Sequence, residues 1–265
     1  LGAAMERRCW LTRGYEELRV YPGQLMVVLV GRSAIVKKTT AIRRAARFLK
    51  TLEPWQVTRL PKKTSPQELL HLLEKVDEEG LPLRIPSGPQ EGRRANSSGF
   101  IVAGEMAVFF STDAFNDMLA ATINDLNDAE IGKVAIRFRS WKADLWNPIV
   151  GMIAGITPKG VAEELPKAAR SAGFFGRILW VHSAEVVAGD SLTERVEEEV
   201  AGRKYLIRGI EAIANMYGPF QYTKQAKKWF DAWYEGVYYP RLVRMDQLGV
   251  MDTTGYWGRK DSHLL

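Results

Sequence analysis

Leu25-Met26-Val27-Val28-Leu29-Val30-Gly31-Arg32-Ser33-Ala34-Ile35-Val36-Lys37-Lys38-Thr39-Thr40-Ala41 decides how the rest of the chain reads. Its first six residues form a continuous apolar run, the pattern of a strand buried on both faces of a helix-covered parallel sheet. The run stops at Gly31. Over Lys38–Leu52 the residues Ile42, Ala45, Ala46 and Leu49 share one helical face. Strand, glycine, loop and helix, in that order, are the setting in which backbone N–H groups and a helix N-terminus face phosphate oxygens. A lysine there supplies a cation to the phosphates, and the hydroxyl after it supplies a ligand for Mg²⁺. Lys38 and Thr39 fit those two roles. The usual spacing G-x-x-x-x-G-K-[ST] is not met: Lys37 stands where its second glycine belongs, and Gly31 is seven residues before Lys38, one too many. Read plainly, the stretch is also an ordinary strand–turn–helix. Lys37 and Lys38 then oppose the helix dipole, a conflict that a bound polyphosphate relieves.

Working outward, strands and helices alternate to about residue 188. Strands are expected at Leu18–Val20, Trp55–Leu60, Phe100–Ala103, Lys133–Phe138, Ile149–Ile156 and Arg177–His182. Leu1–Leu11 reads as a short helix. Ser65-Pro66-Gln67-Glu68 carries an N-cap, an N1 proline and a capping-box glutamate, opening a helix to about Glu79. Thr112 or Asp113 caps the next helix, and another follows Pro158. Gly80–Ser98 reads as an exposed, mobile loop. After Gly189 helices dominate, from a second capping box at Ser191 to about Tyr217 and again over Thr223–Tyr234. The expectation is an α/β core over residues 1–188, mostly parallel, followed by a helical region over 189–265.

The 265 residues carry 37 Lys+Arg against 31 Asp+Glu, a net charge of +6, which permits a polyanionic partner without demanding one. The composition excludes collagen-like and disordered classes. One cysteine, Cys9, excludes an intramolecular disulfide framework and points to a reducing, cytoplasmic compartment. No apolar run reaches the roughly 20 residues of a membrane span. Both ends read as cuts through a longer chain. His71, His182 and His263 lack ligand spacing for a metal. Trp229, Phe230, Trp233 and Tyr234, at i,i+3 and i,i+4 spacing, read as the packing face of a helix, with base stacking beside Lys224, Lys227 and Lys228 the alternative.

Leu1-Gly2-Ala3-Ala4-Met5-Glu6-Arg7-Arg8, Tyr21-Pro22 and the Val27–Gly31 strand resemble a family of phage and mobile-element helicase-like P-loop ATPases. Members carry a variant loop resembling G-I-V-x-K-[ST]-T-T, which Ala34-Ile35-Val36-Lys37-Lys38-Thr39-Thr40 matches with Ala34 for its glycine. The resemblance covers most of the chain. It implies a RecA-like or AAA-like core that binds ATP and Mg²⁺ through Gly31, Ser33, Ala34, Ile35, Val36, Lys37, Lys38, Thr39 and Thr40, with Thr39 on the metal. Phe100-Ile101-Val102-Ala103-Gly104-Glu105 takes the place of the family's strand ending in Asp-Glu. Glu105 then activates water and serves the metal, while Gly104 replaces the aspartate. Gly155-Ile156-Thr157-Pro158 resembles the family's Gly-x-Thr-Pro, making Thr157 a γ-phosphate sensor or a helix N-cap. Gly173-Phe174-Phe175-Gly176-Arg177 resembles its glycine-rich turn, making Arg177 a nucleotide finger across a subunit interface or a salt bridge at the sheet edge. Arg137, Arg139, Arg170 and Arg259 compete for the finger role.

The resemblance implies a DNA helicase or translocase of phage or mobile-element replication, a homo-oligomer such as a hexameric ring. Arg84, Arg93 and Arg94 are its expected contacts to single-stranded DNA. The alternative is a nucleotide- or nucleic-acid-binding loader module with weak or no hydrolysis.

Overall fold

The computed structural model describes residues 2–13, 18–32, 36–50, 52, 56–61, 63–88, 90–110, 114–137, 141–165, 173–182 and 197–248. The chain opens with helix Gly2–Met5 (α1), strands Cys9–Arg13 (β1), Leu18–Val20 (β2) and Met26–Val30 (β3), and helix Lys38–Leu49 (α2). Strand Thr58–Leu60 (β4), helix Pro66–Leu73 (α3), strand Ser98–Ala103 (β5) and helices Met106–Phe109 (α4) and Ala114–Asp128 (α5) follow. Next come strands Lys133–Arg137 (β6), Lys142–Trp146 (β7) and Ile149–Ile156 (β8), helix Pro158–Glu163 (α6) and strand Ile178–His182 (β9). Helix Glu197–Ala214 (α7), strand Gly218–Phe220 (β10), helix Lys224–Trp233 (α8), a π turn over Tyr234–Tyr238 and helix Tyr239–Gln247 (α9) complete it.

Five strands form an all-parallel sheet in the order β4-β5-β8-β3-β9. This is the expected α/β arrangement of a parallel sheet flanked by helices. Strand β8, late in the chain, slots between the early strands β3 and β5. It is buried along nearly its whole length, as an apolar run without polar alternation requires. Glycines make the insertion possible. A Cβ on Gly151 would meet Gly23 O at 2.7 Å and the Phe100 ring at 2.8 Å, and one on Gly155 would meet Gly104 O at 2.8 Å. Helix α2 covers one face through Ile42 and Ala46, against Leu29, Val102 and Ile153. Helices α3, α4 and α5 cover the other, with Leu69, Leu73, Met106, Leu119 and Ile123 against Val28, Ile101 and Met152. Each fully buried aliphatic side chain there contributes roughly 1.5–3 kcal/mol.

Local signals fare well. Ser65 Oγ accepts from Glu68 N at 3.2 Å, and Thr223 and Thr157 cap α8 and α6 in the same way. The Glu68 carboxylate turns instead to the Thr64 hydroxyl, so that capping box is half made. Helix α3 stops at Leu73, short of Glu79, because Lys75 takes a left-handed conformation and the chain turns back through Leu83 N→Lys75 O. Non-local pairings differ from expectation. Cys9–Arg13 is a strand, not helix, because it pairs with β10 and β2. Strand β6 pairs only with β7, as an antiparallel hairpin outside the main sheet. The second capping box, at Ser191, and the residues 112 and 113 lie outside the described residues.

Gly80–Ser98 is exposed over much of its length but cross-braced. Ile85 N donates to Arg93 O, Ala95 N donates to Leu83 O, and Ile85 and Ala95 are buried. Beneath it, at the amino ends of the strands, lies a buried polar cluster. Glu6 accepts from Asn96 Nδ2 at 2.8 Å and Ser98 Oγ at 2.9 Å and pairs with Arg8 at 3.3 Å. Lys75 Nζ donates to Gln56 O at 2.8 Å and Ser98 Oγ at 3.1 Å. Arg7 donates to Leu126 O, Asn127 O and Ala129 O, satisfying the last carbonyls of α5 at the negative end of its dipole.

Burial pushes the Lys75 ammonium down to about 8, with Glu6 opposing the shift. Between that pH and the ordinary lysine range the unfolded chain holds a proton that the folded chain has released. Stability therefore rises with pH across the window. Urea unfolding at pH 7.5 and 9.5 should show wild type gaining on Lys75→Met by about 1–2 kcal/mol; a pH-independent difference contradicts the assignment.

Candidate functional site

The site is set by register. Val30 pairs with Ile156, and Ala103 with Ala154. Continuing each strand, Gly31 stands level with Thr157, and Glu105 level with Ile156. Adjacent strands lie about 4.8 Å apart, so Gly31 and Glu105 flank β8 across about 10 Å. The chain leaves β3 toward the face covered by α2, whereas β8 leads to α6. Such a divergence at the carboxyl ends of a parallel sheet opens a crevice.

Gly31 N donates to Ile156 O at 3.1 Å, tying the loop to β8. A Cβ on Gly31 would press on Val36 at 3.1 Å, so the loop closes against its own start. Lys37 has φ 45° and ψ 28°, the left-handed region. This is the position where the usual spacing carries glycine, and its backbone takes the conformation that glycine adopts most readily. Lys38 is only 8% exposed and its Nζ donates to Gly31 O. Thr39 and Thr40 open α2 on its exposed side. Among the described residues the N-cap Lys37 makes no side-chain capping bond and no acid lies in the first turn, the setting in which helix N-terminal N–H groups favour an anion. Ser33, Ala34 and Ile35 lie outside the described residues.

Glu105 closes β5 and precedes α4. Its Oε1 is buried with no hydrogen-bond partner among the described residues. Burial pushes its carboxyl above the ordinary range; the Lys38 ammonium opposes this, and the Glu164 carboxylate adds to it. Glu164 was not singled out from the sequence. Its Oε2 lies 3.0 Å from where a Cβ on Gly160 would stand, so the side chain folds back over the first turn of α6. A signal for it existed only in space, since 59 residues separate it from Glu105. A Cβ on Gly104 would stand 3.4 Å from Thr39 Cγ2 and 4.0 Å from Thr39 Oγ1. The position of the missing aspartate thus borders the Thr39 hydroxyl. Thr157 Oγ1 accepts from Gly160 N at 2.9 Å, which leaves its hydroxyl proton available.

Lys38, Thr39, Glu105 and Thr157 therefore converge on one crevice. Arg177 does not join them. It precedes β9, whose Ile178 pairs with Met26, so it lies about 16 Å below the level of Val30, at the amino end of the sheet. It pairs with Asp128 and donates to Gly173 O, the sheet-edge salt bridge. Of its competitors, Arg137 ends the β6 strand of the hairpin, and Arg139, Arg170 and Arg259 lie outside the described residues. Arg84, Arg93 and Arg94 also sit at the amino end. Arg84 donates to Gly92 O, Arg94 donates to Asp144 O, and Arg93 lies over the Tyr217 ring at 5.8 Å. The aromatic residues of α8 stack on one another and none of that helix is buried, so the expected packing face is not covered by the described residues. No helix of the described residues is long and apolar enough to cross a membrane. Comparison with protein-family models and with curated proteins finds no match.

Lys37→Gly relieves the left-handed strain at this position, and should stabilise the fold by about 1 kcal/mol in thermal or urea unfolding. A destabilised variant contradicts the conformation assigned to this residue. Gly104→Asp, whose Cβ would meet Thr39 at ordinary van der Waals distance, should fold normally and raise any metal-dependent turnover; unchanged turnover counts against a metal-facing Gly104.

Proposed function

We propose that the crevice binds a nucleoside triphosphate, ATP in the first instance, and hydrolyses it. One observation carries the reading: Lys38, Thr39, Thr157 and Glu105, whose Oε1 has no partner among the described residues, lie around the N-terminus of α2, where Lys37 makes no side-chain cap. An uncapped α2, a buried lysine and an unpartnered carboxylate oxygen are the donor set that Mg·ATP requires. The fit is good for phosphate and partial for the metal, because Gly104 leaves one carboxylate where two are usual. Bound Mg²⁺ would neutralise charge on the β and γ phosphates, held by the Thr39 hydroxyl and Glu105.

The residues act as follows. Lys38 exchanges Gly31 O for phosphate oxygens, a change of acceptor within one loop. Glu105, with its raised proton affinity, accepts a hydrogen bond from the attacking water and orients it. Thr157 donates to the γ-phosphate while still accepting from Gly160 N, which links phosphate loss to the start of α6. Following the family resemblance, this turnover would drive movement along DNA. In a ring, Arg177 would have to leave Asp128 to reach a neighbour's nucleotide. Gly104 favours a second reading, a nucleotide-binding loader module with little hydrolysis. ATPase turnover with and without single-stranded DNA separates the two.

Lys38→Ala should lower ATP affinity at least tenfold, whereas Glu105→Gln should keep binding and lower turnover by roughly 100-fold or more. Unchanged turnover in Lys38→Ala sinks the site. In Glu164→Gln the loss of a neighbouring negative charge should move the acid limb of the pH–rate profile to lower pH. An unmoved limb removes Glu164 from the electrostatics of the base.

A further inference from the structure

A second cationic feature lies along the flank of α2, outside the crevice. Arg43, Arg47 and Lys50 follow one another at i, i+4 and i+7, so they form a single row with steps of about 6 and 4.5 Å along the axis. Arg59, on the edge strand β4, faces this row across a groove of about 270 Å³. Val102 and Ala46 make an apolar floor. All four cations are exposed, and none forms an ion pair or hydrogen bond with the described residues. Thr39 and Gly104 lie at one end, so the groove abuts the crevice.

Four like charges around one groove, none of them paired among the described residues, repel one another, and a helix face rich in Arg and Lys without interspersed acids is not the usual solvated surface. It is the arrangement that a line of phosphates neutralises. Three of the four are arginine, the side chain whose fork matches phosphate oxygens. The groove's apolar floor between two cationic walls suits an extended strand, which can lay bases on the floor and phosphates on the walls. We propose that this groove binds the backbone of single-stranded nucleic acid, with Arg43, Arg47, Lys50 and Arg59 on successive phosphates. The expected contacts Arg84, Arg93 and Arg94 do not line this groove and are engaged within the protein. The groove does not depend on the nucleotide reading.

The test measures binding of a fluorescent single-stranded oligonucleotide by anisotropy across a salt series. Arg43→Ala/Arg47→Ala/Arg59→Ala should weaken binding at least tenfold at low salt. It should also flatten the plot of log affinity against log salt by about 2, since each phosphate no longer neutralised lowers the slope by about 0.7. The matching triple lysine variant should keep the wild-type slope, and a thermal melt checks folding. Arg203→Ala/Lys204→Ala/Arg208→Ala, removing three exposed cations from α7, controls for net charge. An unchanged slope in the triple alanine variant, equal flattening in the α7 variant, or preference for polyglutamate over the oligonucleotide overturns the proposal. ATP binding without oligonucleotide is measured alongside. Retained ATP binding with an unchanged slope rejects the groove alone; a flattened slope in a chain that binds no ATP supports the groove and rejects the nucleotide reading.

Discussion

The close approach of β8 to its neighbours governs this structure. Where Gly151 and Gly155 pass Phe100, Gly23 and Gly104, a methyl group would collide with backbone or ring atoms. Only with that fit can β8 fill the space between β3 and β5. Its insertion fixes the register of both, and the register brings Gly31, Glu105 and Thr157 to one rim. A side chain at Gly155 would press on Ile42 Cδ1 as well, at 3.1 Å, and so shift the helix that carries Lys38 and Thr39.

The two ends of the sheet solve different electrostatic problems. At the amino end, charges are buried and largely answered, although Arg7 Nε and Arg8 Nε have no hydrogen-bond partner among the described residues. Glu6 has Asn96, Ser98 and Arg8, and Arg7 has the carbonyls closing α5. Removing one partner there leaves a buried charge alone, an expensive change. At the carboxyl end the groups are left short of partners. Lys38 settles on a loop carbonyl, the N-terminus of α2 is uncapped, and Glu105 Oε1 has no donor among the described residues. A loop, a helix N-terminus and a carboxylate that meet at the carboxyl ends of parallel strands suit the ligand-binding end of an α/β sheet.

How much of this was legible in the sequence follows from the range of each interaction. The β3 strand, the loop and α2 were readable because apolar runs and helical periodicity are local. The caps at Ser65, Thr157 and Thr223 were readable because a cap spans three residues. Cys9–Leu11 pairs with Gly218–Phe220, about two hundred residues away, and no local pattern announces that. Arg177 looked like a site residue because its glycine-rich turn suggests close approach, but only the pairing of Ile178 with Met26 tells which end of the sheet it occupies. Lys37 departs from the usual loop pattern, and its left-handed backbone is a conformation that the residue type gives no sign of. Arg43, Arg47 and Lys50 share one helical row in the sequence, but Arg59 meets them only in space, across the groove.

The central claim is that the rim holding Lys38, Glu105 and Thr157 is a triphosphate site. A crystal structure with Mg²⁺ and a non-hydrolysable ATP analogue tests it most directly. The account predicts phosphate oxygens on the N-terminal N–H groups of α2, Lys38 Nζ transferred from Gly31 O to phosphate, and Glu105 facing the γ-phosphate. An analogue bound elsewhere, with Lys38 still on Gly31 O and Glu105 Oε1 still without a partner, would contradict it.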